Sequence, residues 1–503
     1  MKRMIAWLLC LCFALGGCAQ DGMTVEEGGG IMPGTNDTQN TQNTRDTETR
    51  FEPLALRLAA LPELPEEPDE AALRDRLDTL DFDALGAEKY GEEQGRLWDE
   101  YNQQYQAYRE AVDALRGDGV DAALIPVLAA YTLRTARQLL QDATEENAVY
   151  SPANLYLALC MLAETAEGES RAQLLDLLGL ESAEQARGAA NSLYRALYRD
   201  GVTEKTLLAN SIWLNEQVGF HQDVIDTLAS DYYASTFRAA MGEAPTDKAI
   251  AAWINENTNG LLADAAAMLK TDPDTLVMLV STLYFKATWS KQFNAADTAE
   301  GVFTAANGEA QNVDFMYRSN NGTYYRGDHF TVAPLPFLNG AAMWFLLPDE
   351  GYSVQDALLA TGSPFTGFDA DPSAELSTVF GAVIASEGRA EIHWSVPKFD
   401  VGSDLDLIPA LKALGVTDIF SSAADFSPLT DLDAVVSAVK HASRVTVDED
   451  GCEAAAFTSA GIDLMSMPAP LSPIEMNLDR PFGFLVTGAD GLPLFVSVVN
   501  TMN

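Results

Sequence analysis

The sequence predicts an α+β protein, and three stretches predict it. Ala129, Leu133, Ala136, Leu139 and Leu140 recur at helical spacing and form one apolar stripe. Leu276 to Val280 is a continuous apolar run of strand type. Val445 to Leu464, VTVDEDGCEAAAFTSAGIDL, begins in the strand period and then passes into acids, a glycine and a run of alanines. The strand in this last stretch is expected to stop at Gly451. The residues beyond Gly451 have too little apolar bulk for an ordinary core strand, yet they lack the Pro, Asn and Gly clusters that punctuate loops. If extended, they set Cys452, Ala454, Ala456, Thr458, Ala460 and Ile462 on one face and Glu453, Ala455, Phe457 and Ser459 on the other. The segment reads either as a Gly/Ala-rich surface connection or as one that can also enter a sheet as a new strand.

In chain order, Lys2 and Arg3 precede the apolar run Met4 to Leu15 and then Gly16, Gly17 and Cys18. A basic start followed by a short apolar run reads as an export signal, too short to span a membrane. Leu15-Gly16-Gly17-Cys18 resembles a bacterial lipobox, which implies removal of residues 1–17 and acylation of Cys18; an ordinary signal peptide cut nearby is the other reading. More than one acyl chain on Cys18 would give a stable anchor, so the protein is expected at the bacterial cell surface as an extracellular lipoprotein. Cys10 and Cys12 lie in the signal, which leaves Cys160 and Cys452 in the body, no disulfide framework and no metal-ligand spacing.

A formal net charge of −43 over 503 residues argues against nucleic acid and against electrostatic attachment to an anionic membrane, both of which carry the same sign. Residues 18–50 are polar and of low complexity, including NDTQNTQNTRDT, and read as a flexible tether. Residues 51–118 form an acidic, partly helical extension. Pro62, Pro65 and Pro68 break its early part, Leu73, Leu77 and Leu80 make a short stripe, and Trp98, Tyr101, Tyr105, Tyr108, Val112 and Leu115 make a longer one. It is either a partner-binding helical hairpin or an extension whose stripes pack on each other or on the main domain.

The main domain is expected over residues 119–503. The stripe of Ala129 to Leu140 leads into Asn147-Ala148-Val149-Tyr150-Ser151-Pro152, where the residue before proline should be extended, and then into an apolar helix from Leu155 to Ala163. Leu208-Ala209-Asn210-Ser211, Ser281 to Trp289, Phe303-Thr304, Asp314-Phe315-Met316, Ala342 to Pro348, Val396-Pro397-Lys398-Phe399, Ala424 to Ser427, Lys440-His441-Ala442, Asp479-Arg480-Pro481-Phe482 and Leu494-Phe495-Val496 come next in order. Together with Glu449, Asp450, Gly451, Glu453 and Ala454 to Ala456, this series resembles the serpin family, inhibitors whose reactive-centre loop is cut by a target protease and then inserts into a central sheet. The resemblance covers roughly Val120 to Asn503.

That resemblance implies a large mixed central sheet, two further sheets, about eight or nine helices and an exposed reactive-centre loop near the C-terminus. It makes Glu449, Asp450, Gly451, Cys452, Glu453, Ala454, Ala455 and Ala456 the loop hinge. It implies a buried hydrogen-bonded latch of Ser151, Asn210 and His441 beneath the sheet, costly if any member is unsatisfied, and sets Trp289 at the top of the sheet, where the loop first enters. Ser281 stands where the family commonly has asparagine, which weakens an expectation of hydrogen bonding there. Cys452 replaces a small threonine or serine at a size compatible with insertion.

Counted from the hinge at the family's usual separation, the resemblance implies a reactive bond at Met465-Ser466, with Leu464, Met467 and Leu471 as rivals. An unbranched thioether before the cut suits the apolar specificity pocket of elastase-, chymotrypsin- or subtilisin-like serine proteases. Catalysis by the chain itself is not expected. It has only four histidines, none in a zinc-binding pair, no Gly-x-Ser-x-Gly elbow and no phosphate loop, and in so acidic a chain most carboxylates are a solvated face. The expected protein is therefore a monomeric serine protease inhibitor without cofactor or metal, trapping a protease as a suicide substrate. A non-inhibitory serpin used as a surface binding or adhesion module is the alternative. Proline or charge in the alanine run would favour that alternative, and neither is present.

Overall fold

A computed structural model describes residues 10–16, 55–59, 61, 66–117, 119–201, 204–359, 388–452 and 472–502. Cys18, Glu453 to Ala456, Met465 and Ser466 lie outside the described residues.

The strands make a nine-stranded, a six-stranded and a four-stranded sheet, the mixed α+β architecture expected. The nine-stranded sheet positions the candidate site. Its main strands are β1 (Cys10–Gly16), β2 (Ala55–Arg57), β3 (Glu204–Asn215), β4 (Ala234–Ala239), β5 (Thr275–Thr288), β6 (Phe399–Asp406), β7 (Val435–Val447) and β8 (Gly451–Cys452). From one edge the order is β6, β7, then β8 and β1 in one shared position, then β5, β3, β4 and β2. β3 and β4 run parallel, and the other pairs named here are antiparallel.

β5 is buried along nearly its whole length, which is why its sequence is a continuous apolar run and not an alternation. One face lies over the helix Pro152–Thr165, every residue of which is buried, and the helix Ala244–Asn257 also packs against β5. Ser151 starts the buried helix. Its backbone is extended (φ −106°, ψ 106°), as a residue before proline must be, and its hydroxyl accepts from the Asn154 amide at 3.2 Å.

The extension is part of the same body. β2 pairs with β4 at the sheet edge, and the Ala59 amide donates to Ser235 Oγ at 3.1 Å. The helix Ala87–Arg116 ends against the helix Ala183–Leu197, where Arg195 Nε donates to the Leu115 carbonyl at 2.7 Å. Of the aromatic stripe, Tyr108 is buried, whereas Trp98 and Tyr105 are exposed. The neighbouring Leu97 is buried in their place.

The end of β7 differs from expectation. The strand stops at Val447, four residues before Gly451. The Asp448 carboxylate accepts from the amides of Asp450 (2.9 Å) and Gly451 (3.2 Å), and its own amide donates to the Gly451 carbonyl at 3.0 Å. That side-chain-closed turn folds the chain back, and Gly451 starts a new strand where the old one was expected to end.

Candidate functional site: the hinge and the latch beneath the sheet

Gly451 and Cys452 are inserted between two strands. Gly451 pairs with Thr288 and Cys452 with Ala287 on β5, and Cys452 pairs with Val447 on β7. A Cβ on Gly451 would lie 2.1 Å from the Ala287 carbonyl oxygen, so only glycine permits this approach. Cys452 is 3% exposed and is not in a disulfide.

The acidic pair before them is held to the same corner. Glu449 accepts from Lys398 Nζ and from Thr298 Oγ1, both at 2.8 Å, and the Phe293 amide donates to its carbonyl at 2.9 Å. Burial pushes its carboxyl up, but the bonds from Lys398 and Thr298 outweigh burial and leave it below the usual range. Asp450 shifts the opposite way, raised by burial and then by the neighbouring Asp448 and Glu449 charges; it accepts from Gln292 Nε2 at 2.8 Å. Trp289 is buried here and stacks on Phe337 with ring centroids 4.4 Å apart. Its indole N–H donates to the Asp448 carbonyl at 3.0 Å, and its amide donates to the Asp450 carbonyl at 3.0 Å. The tryptophan thus fastens both sides of the turn.

Lower down, Ser151 and His441 meet directly. The Ser151 amide donates to His441 Nε2 at 2.9 Å, and Ser443 Oγ lies 3.0 Å from the same nitrogen. An amide can only donate, so Nε2 is the acceptor and the neutral ring carries its proton on Nδ1. Nδ1 is buried and has no partner among the described residues. Complete burial pushes the His441 pKa down to about 3, and the ring is uncharged at neutral pH.

Asn210 touches neither Ser151 nor His441. It joins them through two residues that sequence reasoning did not assign to the latch, Asn154 and Ser281. Ser281 Oγ lies 2.7 Å from Asn210 Oδ1 and also bonds Asn154 Oδ1; Asn154 Nδ2 donates to the Ser281 carbonyl at 3.2 Å, and the Asn154 amide reaches Ser151 Oγ. Asn210 Nδ2 donates to the Tyr232 carbonyl at 2.9 Å. The departure from asparagine at 281 weakened an expectation of hydrogen bonding there, yet Ser281 is the bridge between the two asparagines. All of these residues are buried.

Chemically, the arrangement holds the start of a strand between β5 and β7 and crosses the same sheet with a polar network farther down. Ser443 Oγ does lie against His441 Nε2, but both side chains are fully buried. Among the described residues no group of three His, Cys, Asp or Glu could hold a metal ion.

A family model described as Serpin (serine protease inhibitor) matches residues 127–502. Serpin-ZX of Arabidopsis thaliana is 25% identical over 379 residues, covering 70% of this chain and 91% of its own length. A protein named Serine protease inhibitor from Cyanea capillata is 27% identical over 360 residues, covering 69% of this chain and 90% of its own. Among solved structures, the native state of the thermophilic serpin tengpin superposes with a TM-score of 0.65 at 28% identity, covering 76% of this chain and 95% of that one. The family model covers well over half of the chain, and the chain belongs to the serpin family.

Proposed function

We propose that this chain is a lipid-anchored inhibitor that traps serine proteases as a suicide substrate. The observation that carries the reading is the seat of Gly451 and Cys452 between β5 and β7, which is where a following strand has to start if it is to enter the sheet. The protease serine attacks the Met465 carbonyl, the Ser466 amine leaves, and Met465 stays esterified to the enzyme. Residues from Glu453 to Leu464 then extend the β8 strand downward, gaining ladder hydrogen bonds and burying their small face. The tethered enzyme is dragged along and distorted before water can release it. The alanines at 454 to 456 suit that entry, and Met465 suits an apolar specificity pocket. Acylation of Cys18, with residues 19–50 as tether, would hold the inhibitor outside the cell.

The test is to mix the protein with an elastase-like serine protease, run a denaturing gel and sequence the released C-terminal fragment. A complex that survives denaturation, with a fragment starting at Ser466, is expected. With a chain lacking residues 1–17, cleavage without a complex would reject trapping in favour of a non-inhibitory binding module, and an uncut loop would reject Met465 as the bait.

A further inference from the structure

The slot that the hinge enters is already filled lower down, and by the chain's own N-terminal apolar segment. β1 lies antiparallel between β5 and β7, with Leu11 opposite both Ser281 and His441, Cys12 opposite Val280 and Lys440, Phe13 opposite Leu279 and Val439, and Ala14 opposite Met278 and Ala438. The hinge fixes a second register on the same two strands. Counting on from Cys452 opposite Ala287 and Val447, an inserted reactive loop would set Thr458 opposite Ser281 and His441, and Ser459, Ala460 and Gly461 opposite the partners of Cys12, Phe13 and Ala14. Both flanking strands return the same correspondence. β1 therefore occupies the ladder positions that the loop would need from Phe457 onward on β7 and from Thr458 onward on β5.

We infer that a chain still carrying residues 10–16 is kept from trapping a protease, because this segment holds the lower half of the loop's own slot, and that its removal arms the inhibitor. The inference rests on the trap reading above. The slot is central in the sheet and lies over the buried helix Pro152–Thr165, with the helix Ala244–Asn257 against the flanking β5. A strand so placed is favoured by a near-continuous apolar sequence. Cys10 to Gly16, CLCFALG, meets that requirement, whereas Thr458 to Leu464, TSAGIDL, brings two hydroxyls and a carboxylate. Each backbone edge of β5 and β7 can pair with one strand at a time. A cut loop could thus enter only as far as Ala456 before it met Cys10, too short a travel to drag the protease along, and the acyl-enzyme would have time to hydrolyse. The same apolar run that directs export would in this way silence any precursor that folds before it is processed.

Two measurements on the full chain test this. By hydrogen exchange, the amides of Cys10 to Gly16 are expected to be protected like those of a central strand; exchange at the rate of free peptide would overturn the inference. Trapping is then compared between the unaltered full chain and Phe13→Pro, since proline in a central strand removes a ladder donor and is excluded from such positions. The unaltered chain is expected to be cut with little stable complex and Phe13→Pro to form severalfold more. Adding a synthetic peptide of residues 8–16 to Phe13→Pro is expected to reverse the gain and raise its unfolding temperature. Equal trapping by both chains would overturn the inference even with protected amides. Protected amides, a peptide-induced rise in unfolding temperature and no complex from either chain would instead overturn the trap reading and leave the occupied slot standing.

Discussion

Ser281 Oγ lies 2.7 Å from the side-chain oxygen of Asn210 and bonds the side-chain oxygen of Asn154 as well, so one hydroxyl proton serves two acceptors. Neither amide can be turned over to relieve this. Asn210 Nδ2 is committed to the Tyr232 carbonyl and Asn154 Nδ2 to the Ser281 carbonyl, and reversal would set oxygen against oxygen. Ser281→Ala would strip both asparagine oxygens of this donor in a fully buried site. We expect a loss of about 1–3 kcal/mol of unfolding free energy, the usual cost of leaving a buried polar group unsatisfied. Urea unfolding measures it, and an unchanged midpoint would show that the bridge contributes nothing.

This bridge marks the limit of what the residues disclose by themselves. Ser151 was legible as an extended residue because a proline follows it, and its place in the latch only through the family resemblance. Gly451 was legible as a break, though not as the first residue of a returning strand, since the Asp448 turn depends on a side chain closing over two amides. Asn154 and Ser281 were not legible as partners. They meet only because β3 and β5 pair with Asn210 opposite Ser281, and register is a property of the sheet, not of either strand. The stripe of the Ala87–Arg116 helix shows the same limit: its period was readable, but not that Tyr108 is buried while Trp98 is left 39% exposed. Most ambiguous was the run Met4 to Leu15, because an export signal and a central strand ask for the same apolar composition.

The buried His441 makes stability depend on pH. Its pKa is about 3 in the folded protein against 6.5 for the free side chain, so between those values the unfolded state binds a proton that the folded state refuses. Stability rises with pH wherever the unfolded state holds more protons. This contribution is therefore fully present above about pH 6.5, is lost as pH falls below it at up to about 1.4 kcal/mol per unit, and levels off near pH 3. Ser151, Ser443 and the Tyr150 ring lie against the imidazole, and among the described residues no carboxylate is bonded to it to offset its charging. His441→Gln is expected to flatten the slope between about pH 5 and pH 7, whatever it does to stability at neutral pH. Parallel curves for the two proteins would mean that the ring is protonated inside the fold.

On the trap reading, the same ring would give an inserted loop something to bind. Its Nδ1–H lacks a partner among the described residues, and a loop inserted in the hinge register would set Thr458 opposite His441, on the face of Cys452 and Val447. A threonine hydroxyl there can accept the orphan proton. Thr458→Val keeps the shape and removes the acceptor. We expect it to leave the uncut protein unchanged and to shrink the gain in unfolding temperature on loop cleavage, by the equivalent of about 1–3 kcal/mol. Thermal scans of cut and uncut forms of a chain without residues 1–17 would show it, and an undiminished gain would place another residue opposite the histidine.

Gly451 offers the most direct check on the hinge. The atom that a Cβ would meet is the Ala287 carbonyl oxygen, with the Thr288 Cα 3.0 Å away, and both are backbone of a central strand that cannot step aside as a side chain would. Gly451→Ala should therefore unseat β8 from between β5 and β7 without disturbing the rest of the sheet, and carry Cys452 out from its 3% exposure. Thiol labelling mapped by mass spectrometry reads this at one residue. Cys452 is expected to react many times faster in Gly451→Ala than in the unaltered protein, while Cys160, completely buried in the helix beneath the sheet, stays unreactive in both and reports that the core is intact. Equal labelling of Cys452 in the two proteins would mean that the hinge does not depend on the close approach of Gly451 to Ala287.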